Sequence, residues 1–177
     1  MKILKILIGT ILLLTIGFFA LGLVKPTIQY DCEVTINKPA REVWAVMSDE
    51  SKMADWISGY ISSELISGTS NTVGAVTKIN VEENGQEMSM QETITAITPG
   101  ELLSMDFTMD MMDMHYTLKL ENKGSSTLVK TSSITKGNGM LYKSIVALMP
   151  AAMQAQEVQN LNNLKRLVET NTTNYNN

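Results

Sequence analysis

The chain has 177 residues, enough for one domain with a core of its own, and 44% of them are apolar. The formal net charge is −4; Lys2, Lys5 and Lys25 lie in a first segment without acids, so the remainder carries 11 basic against 18 acidic residues, which excludes a basic face for nucleic acid. A single cysteine, Cys32, excludes an internal disulfide and a cysteine zinc cluster, while 13 methionines supply flexible, polarisable side chains suited to surfaces that must accommodate variable shapes.

From Ile6 to Val24 no residue is charged and nearly all are apolar. As a helix this run measures about 28 Å, close to the hydrocarbon thickness of a bilayer. Lys2 and Lys5 precede it and Lys25-Pro26 ends it. The run outlasts the apolar part of an ordinary signal peptide, and Ala20 and Gly22 make a poor cleavage site, so residues 1–26 read as an uncleaved transmembrane anchor rather than a signal sequence. Gln29-Tyr30-Asp31 before Cys32 is not a lipidation box. The basic amino-terminal side favours the cytoplasm, which makes this a single-pass protein of a bacterial-type inner membrane with its domain outside; Lys25, Lys38 and Arg41 work against that orientation.

Residues 27–36 alternate as a first strand that stops at Asn37-Lys38-Pro39. Pro39 fits the first turn of a helix with Asn37 near its cap, and Val43, Trp44, Val46 and Met47 give that helix a buried side. A second short helix is expected over Ser51–Trp56. Period-two patterning then predicts six strands, at about 59–67, 74–83, 86–97, 101–109, 112–121 and 126–136.

Two hairpins fix the register. A two-residue turn at Asn84-Gly85 sets Val81 opposite Met88, Ile79 opposite Met90, Thr77 opposite Glu92 and Ala75 opposite Ile94, with matching apolar parity. A two-residue turn at Asp110-Met111 pairs Met109 with Met112, Phe107 with Met114 and Met105 with Tyr116, leaving Asp106 opposite His115 on the polar face; a four-residue loop keeps the faces and shifts the partners. In the last strand a four-residue loop after Glu121 puts Val129, Thr131 and Ser133 inward, whereas a bulge puts Leu128 there. The closing stretch, Gly139–Glu169, carries an apolar stripe at Tyr142, Ile145, Val146, Met149, Met153, Leu161, Leu164 and Val168, with Pro150 expected to kink or split it. Residues 171–177 are polar and read as a disordered tail, where Asn171-Thr172-Thr173 matches a glycosylation acceptor by composition alone.

The run Val34-Thr35-Ile36-Asn37-Lys38-Pro39-Ala40-Arg41-Glu42-Val43-Trp44, with Ser48-Asp49 and Trp56, resembles the opening of SRPBCC (START-like) proteins of the polyketide cyclase/dehydrase and lipid-transport type. Glu92-Thr93-Ile94, Pro99 and Leu102-Leu103 resemble that superfamily's middle strands, and residues 161–169 its closing helix. Over residues 27–170 the resemblance implies an α+β helix-grip domain: a seven-stranded curved antiparallel sheet around a long C-terminal helix, two short helices after the first strand, and an apolar cavity. In this superfamily that cavity commonly holds lipids, sterols, polyketides or other oily small molecules. The superfamily's few catalytic patterns do not transfer cleanly to this chain.

Candidate chemistry is sparse. Asp106 and His115 sit on the polar face and read as a surface cross-strand pair, and Cys32 as a packed thiol. Glu92 shares inward parity with Met88, Met90 and Ile94, so its carboxyl group must be paired, protonated or drawn out to solvent at the sheet's end. Beside inward hydroxyls such as Tyr116 it is a candidate acid/base or ligand-orienting group. The expected cavity residues are Met88, Met90, Glu92, Met105, Phe107, Met114, Tyr116, Met149 and Met153, which serve equally as solid core or as an adaptable pocket. No metal site or cofactor is expected. The leading reading is a membrane-anchored module that binds a hydrophobic small molecule or lipid. The alternatives are a cyclase/dehydratase-type enzyme using Glu92 with Tyr116, and a protein-interaction module of the Hsp90-activator-like branch.

Overall fold

Alternation in the last two strands organises the domain. In the computed structural model, which describes residues 1–83, 85–173 and 175, residues Thr127, Val129, Thr131, Ser133, Thr135 and Gly137 are all buried, and the residues between them lie at or near the surface. This is the one-sided strand that a covered sheet requires. The elements run α1 (Lys2–Val24), β1 (Thr27–Ile36), α2 (Ala40–Met47), a 3₁₀ turn (Glu50–Lys52), α3 (Met53–Trp56), β2 (Tyr60–Ser67), β3 (Val76–Glu83), β4 (Gln86–Thr98), β5 (Leu102–Thr108), β6 (Met112–Asn122), β7 (Thr127–Gly137), α4 (Gly139–Val146) and α5 (Pro150–Thr170). The strands form one antiparallel sheet in the order β1-β7-β6-β5-β4-β3-β2, so β1 closes onto β7 and the remainder is a meander. This is the helix-grip architecture expected from the sequence.

The predicted registers hold. Val81 pairs with Met88, Ile79 with Met90 and Thr77 with Glu92, and the Ala75 carbonyl accepts from the Ile94 N–H at 3.1 Å. Gly85 takes φ +77°, while Asn84 lies outside the described residues. Phe107 faces Met114, Met105 faces Tyr116 and Asp106 faces His115, and the Met109 N–H donates to Met112 O, so the turn at Asp110-Met111 has two residues. The open choice after Glu121 resolves to a four-residue loop, with Asn122 paired to Thr127 and Val129 rather than Leu128 inside.

Two details differ from the sequence reading. Pro39 is the residue before α2 rather than its first turn; Asn37 does not cap that helix, and its backbone N–H donates to Glu169 Oε1 instead. The second short helix begins as a 3₁₀ turn, where the Asp49 carboxylate accepts from Ser51 N–H at 3.1 Å. The closing stretch is split at Pro150 as expected: α4 stops at Val146 and Pro150 opens α5, its missing N–H being no loss at a first helical position.

The core is unevenly distributed. Leu161, Leu164 and Val168 of α5 pack with Ile36, Val43, Val46, Leu118, Leu120 and Val129, closing one half of the grip completely. A smaller cluster, Ala75, Ile94 and Met105, lies towards β3–β5, and Leu103 and Tyr116 touch both. Polar side chains clamp α5 in place: Lys165 donates to Thr35 O at 2.8 Å, and Asn160 Oδ1 accepts from Ser58 N–H at 3.0 Å. Substituting Leu164, which is fully buried, by alanine is expected to destabilise the fold by about 2–5 kcal/mol, measured by urea denaturation with an unchanged m-value.

Candidate functional site

The register sorts the inner face into rows that cross the sheet. One row runs Thr77, Glu92, Phe107, Met114, Thr135 and Ile28; the next runs Ile94, Met105, Tyr116, Ser133 and Tyr30. A third holds Ile97, Leu103, Leu118, Thr131 and Cys32. Side chains on one strand face point the same way. Three hydroxyls of β7 therefore stand in line on the inner wall, with Ser133 between Tyr30 and Tyr116.

The first half of α5 brings a carboxyl group to this wall. Met153, Glu157 and Leu161 are spaced by four and lie on one helix face, the same face that buries Leu164 and Val168 further along. The Tyr116 hydroxyl donates to Glu157 Oε1 at 2.8 Å. Burial raises the Glu157 carboxyl above its ordinary range, with the Tyr116 hydrogen bond opposing, and burial together with the facing Glu157 charge raises the Tyr116 hydroxyl. Burial also raises Tyr30. Thr131 stands near enough to the Tyr116–Glu157 pair, and Ser133 near enough to Tyr30, to favour the charged forms of those groups. Even so, the hydroxyls of Thr131, Ser133 and Thr135 are fully enclosed and complete no hydrogen bond of good geometry among the described residues. Buried polar atoms normally find partners, so three orphans in a row single out this surface.

Beside the polar strip lies an apolar wall. Met88, Met90, Phe107 and Met114 are half-buried, as are Met149 and Met153 from the helical side, and the Phe107 ring packs edge-on against Tyr116 at 6.4 Å. Met105 is packed into the smaller core cluster. The inward methionines thus divide, Met105 belonging to solid core and Met88, Met90, Met114, Met149 and Met153 remaining partly exposed. Glu92 faces inward as its parity requires; neither a hydrogen bond nor an ion pair reaches it among the described residues, and burial pushes its carboxyl up to about 7.

Glu92 and Tyr116 are not brought together. They sit two strands and one row apart, about 12 Å between backbones from standard sheet spacings. Tyr116 is engaged instead by Glu157, a residue the sequence reading missed although its spacing of four from both Met153 and Leu161 marks it as inward. His115 Nδ1 lies 2.6 Å from Asp106 Oδ1 on the outer face, both about half exposed, beside an open hollow of about 610 Å³ bordered by Asp31, Glu33, Lys119 and Lys130. Cys32 is buried, its Sγ 3.9 Å from Gln154 O. No group of three or more His, Cys, Asp or Glu side chains among the described residues is arranged to hold a metal ion. Lys52 Nζ donates to the Tyr175 hydroxyl at 2.7 Å; Asn174, Asn176 and Asn177 of the predicted disordered tail lie outside the described residues.

A seven-stranded antiparallel sheet gripping a long C-terminal helix, with a polar strip on its inner face, defines the helix-grip class of α+β protein. The chain belongs to the polyketide cyclase / dehydrase and lipid transport family, which it matches over residues 27–169. Among solved structures it is similar to the Zhui aromatase/cyclase from Streptomyces sp. R1128, with a TM-score of 0.68 and 16% identity over 81% of this chain and 94% of that one. A protein from Thermus thermophilus gives a TM-score of 0.68 at 13% identity, covering 82% and 100%. Norcoclaurine synthase from Thalictrum flavum gives 0.62 at 14%, covering 84% and 90%. At these identities the likeness is one of fold. No curated protein matches the sequence.

The raised carboxyl of Glu92 fixes a pH dependence. An acid whose folded pKa lies above its unfolded value stabilises the fold fully below the unfolded value and loses that contribution as pH rises through the folded one. For Glu92 the loss falls between about pH 4.5 and 7 and amounts to at most about 3 kcal/mol. Glu157 works in the same direction. The expected outcome is a Tm that falls from pH 5 to pH 8 in the wild type and falls less in Glu92→Gln, read by scanning calorimetry in buffers of constant ionic strength.

Proposed function

We propose that this protein is a membrane-anchored binding protein for an amphiphilic small molecule or lipid, held in the cleft between the inner sheet face and the first half of α5. The observation that carries this reading is the inner polar strip, in which the enclosed hydroxyls of Thr131, Ser133 and Thr135, beside the Tyr116–Glu157 pair, complete no hydrogen bond of good geometry among the described residues. A wall of half-buried methionines and Phe107 suits a variable apolar body. The polar strip of Tyr116, Glu157 and the β7 hydroxyls suits a carbonyl, hydroxyl or carboxyl group on that body. Membership of a family that includes lipid transport supports the same reading.

The anchor is α1. It is long and apolar enough to cross a membrane, a criterion that a signal sequence also meets, and only 6% of its most apolar window is buried. On this reading residues 6–24 span the bilayer, residues 27–170 form the binding domain, and Lys2 and Lys5 hold the amino terminus in the cytoplasm with the domain on the other side.

An enzymatic reading has one observation in its favour. Glu92 is inward, without a hydrogen-bond or ion-pair partner among the described residues, and poised near neutral pH, as suits a group that exchanges a proton with a bound substrate. It acts alone in that case, because Tyr116 is committed to Glu157.

The binding reading is tested with the full chain solubilised in detergent, by native mass spectrometry and solvent extraction. A retained amphiphile is expected. The double variant Thr131→Val/Ser133→Ala removes two orphan hydroxyls, so the emptied protein should be as stable as the wild type or more so, while the retained ligand falls several-fold. Equal retention by this variant sinks the role of the polar strip, and a wild type that carries no ligand sinks the binding reading.

A further inference from the structure

The second half of the closing stretch grips the sheet, but α4 goes elsewhere. It packs on the end of β7 and along α1. Two glycines permit these approaches. A Cβ on Gly137 would lie 2.4 Å from Lys143 N and Tyr142 C, and a Cβ on Gly22 would lie 2.5 Å from Ser144 Oγ and 2.7 Å from Ser144 N. Gly22 is the one buried residue of α1, and Phe18 and Phe19, one turn earlier, are half-buried. The contact therefore sits on the last turns of the apolar helix, within about 9 Å of its end.

Met140, Leu141 and Ser144 fall on one side of α4 by helical spacing, and Leu148 follows one turn on. Ser144 is covered by α1. Around it Met140 is 44% exposed, Leu141 49% and Leu148 62%. The uncovered apolar side chains of α4 thus continue the surface of α1 itself, where Leu21, Leu23 and Val24 are also exposed. Whatever apolar medium covers the end of α1 meets these three residues as well. The depth agrees, since a helix lying in a membrane interface sinks about 5–10 Å. Met111, at the tip of the β5–β6 hairpin, accepts through its carbonyl from Asn138 N–H at the start of α4 and is exposed at the same end of the domain.

We propose that α4 is a second membrane-contacting element, lying in the bilayer interface beside the last turns of α1 with Met140, Leu141 and Leu148 among the acyl chains. The occupant of this face is the bilayer that takes α1, so the proposal rests on the anchor reading above. It also narrows the ligand. The helical wall of the cleft begins at Met149 and Pro150, directly after α4, so the cleft opens beside the membrane surface and its ligand is an amphiphile resident in that bilayer.

The test uses the full chain in nanodiscs of phosphatidylcholine and phosphatidylglycerol. Single cysteines at Leu13, Leu141, Leu148 and Lys78 carry bimane, with buried Cys32 left in place and its labelling checked in the parent chain. Quenching is read with doxyl-labelled lipid and with aqueous iodide. Leu13→Cys, Leu141→Cys and Leu148→Cys should be quenched by the lipid and, relative to Lys78→Cys, protected from iodide at least about threefold. Lipid quenching at position 13 with iodide access at 141 and 148 overturns the role of α4 and leaves the anchor standing. Iodide access at position 13 overturns both. Protection at 141 and 148 from both quenchers means that protein covers the face, as in a second copy of the chain, and also overturns the proposal.

Discussion

Pro150 cannot donate a backbone hydrogen bond, and the closing stretch of the molecule, from Gly139 on, is arranged around that fact. A continuous helix from Gly139 would have to choose between following α1 and crossing the sheet. The break lets the chain do both: α4 packs on α1 and β7, and α5 starts afresh along β1, α2 and α3. Because Pro150 is the first residue of α5, it fixes the helical phase of the turns beyond it. Met153, Glu157 and Leu161 then face the sheet in turn, so the position of one proline decides which side chain meets Tyr116.

The two halves of the grip do different physical work. Around Leu161, Leu164 and Val168 the helix meets Val43, Val46 and Val129 with almost no exposed area, and this half carries the hydrophobic stabilisation. Around Glu157 the same helix meets hydroxyls, and its flanks at Gln154, Gln156 and Val158 are exposed. Two carboxyl groups, Glu92 and Glu157, lie on the inner side of this half with raised pKa values, so ionising them opposes folding. Closing the first half with leucine would be the more stable solution. A chain that leaves carboxyl and hydroxyl groups inside instead, some of them without partners among the described residues, has kept that half for something other than its own packing.

Most of the architecture is legible in the sequence because period-two alternation and turn chemistry are local signals. Val81 opposite Met88 and Phe107 opposite Met114 follow from counting outward from a two-residue turn, and a slip of one would turn every methionine out to solvent. The inward direction of Glu92 follows from the same parity. The site was less legible. Glu157 interrupts an apolar stripe, and an acid in that setting reads as solvated surface until the opposing Tyr116 is known to lie beneath it. Tyr30 alternates correctly within β1, but its neighbour Ser133 becomes apparent only when β1 closes onto β7, a pairing between the two ends of the domain that no local pattern specifies. The docking of α4 on α1 is silent for a related reason. It depends on Gly22, Gly137 and Ser144, small residues whose value lies in what they leave out.

The methionines fit this division of labour. Met47 and Met105 are enclosed, where a branched residue would serve as well. Met88, Met90, Met114, Met149 and Met153 are half-buried, the first three on inward strand positions and the last two beside and within the start of α5. An unbranched thioether side chain repacks at little cost when its neighbour changes, whereas leucine or isoleucine holds one shape. Adaptable walls alone would bind any oily molecule loosely. On the proposed binding reading, a polar row along β7, held by the strand ladder, sets where a ligand's polar group would lie. On that reading, broad tolerance for the apolar body and a strict position for the polar group is the specificity that a soft wall paired with a rigid one would produce.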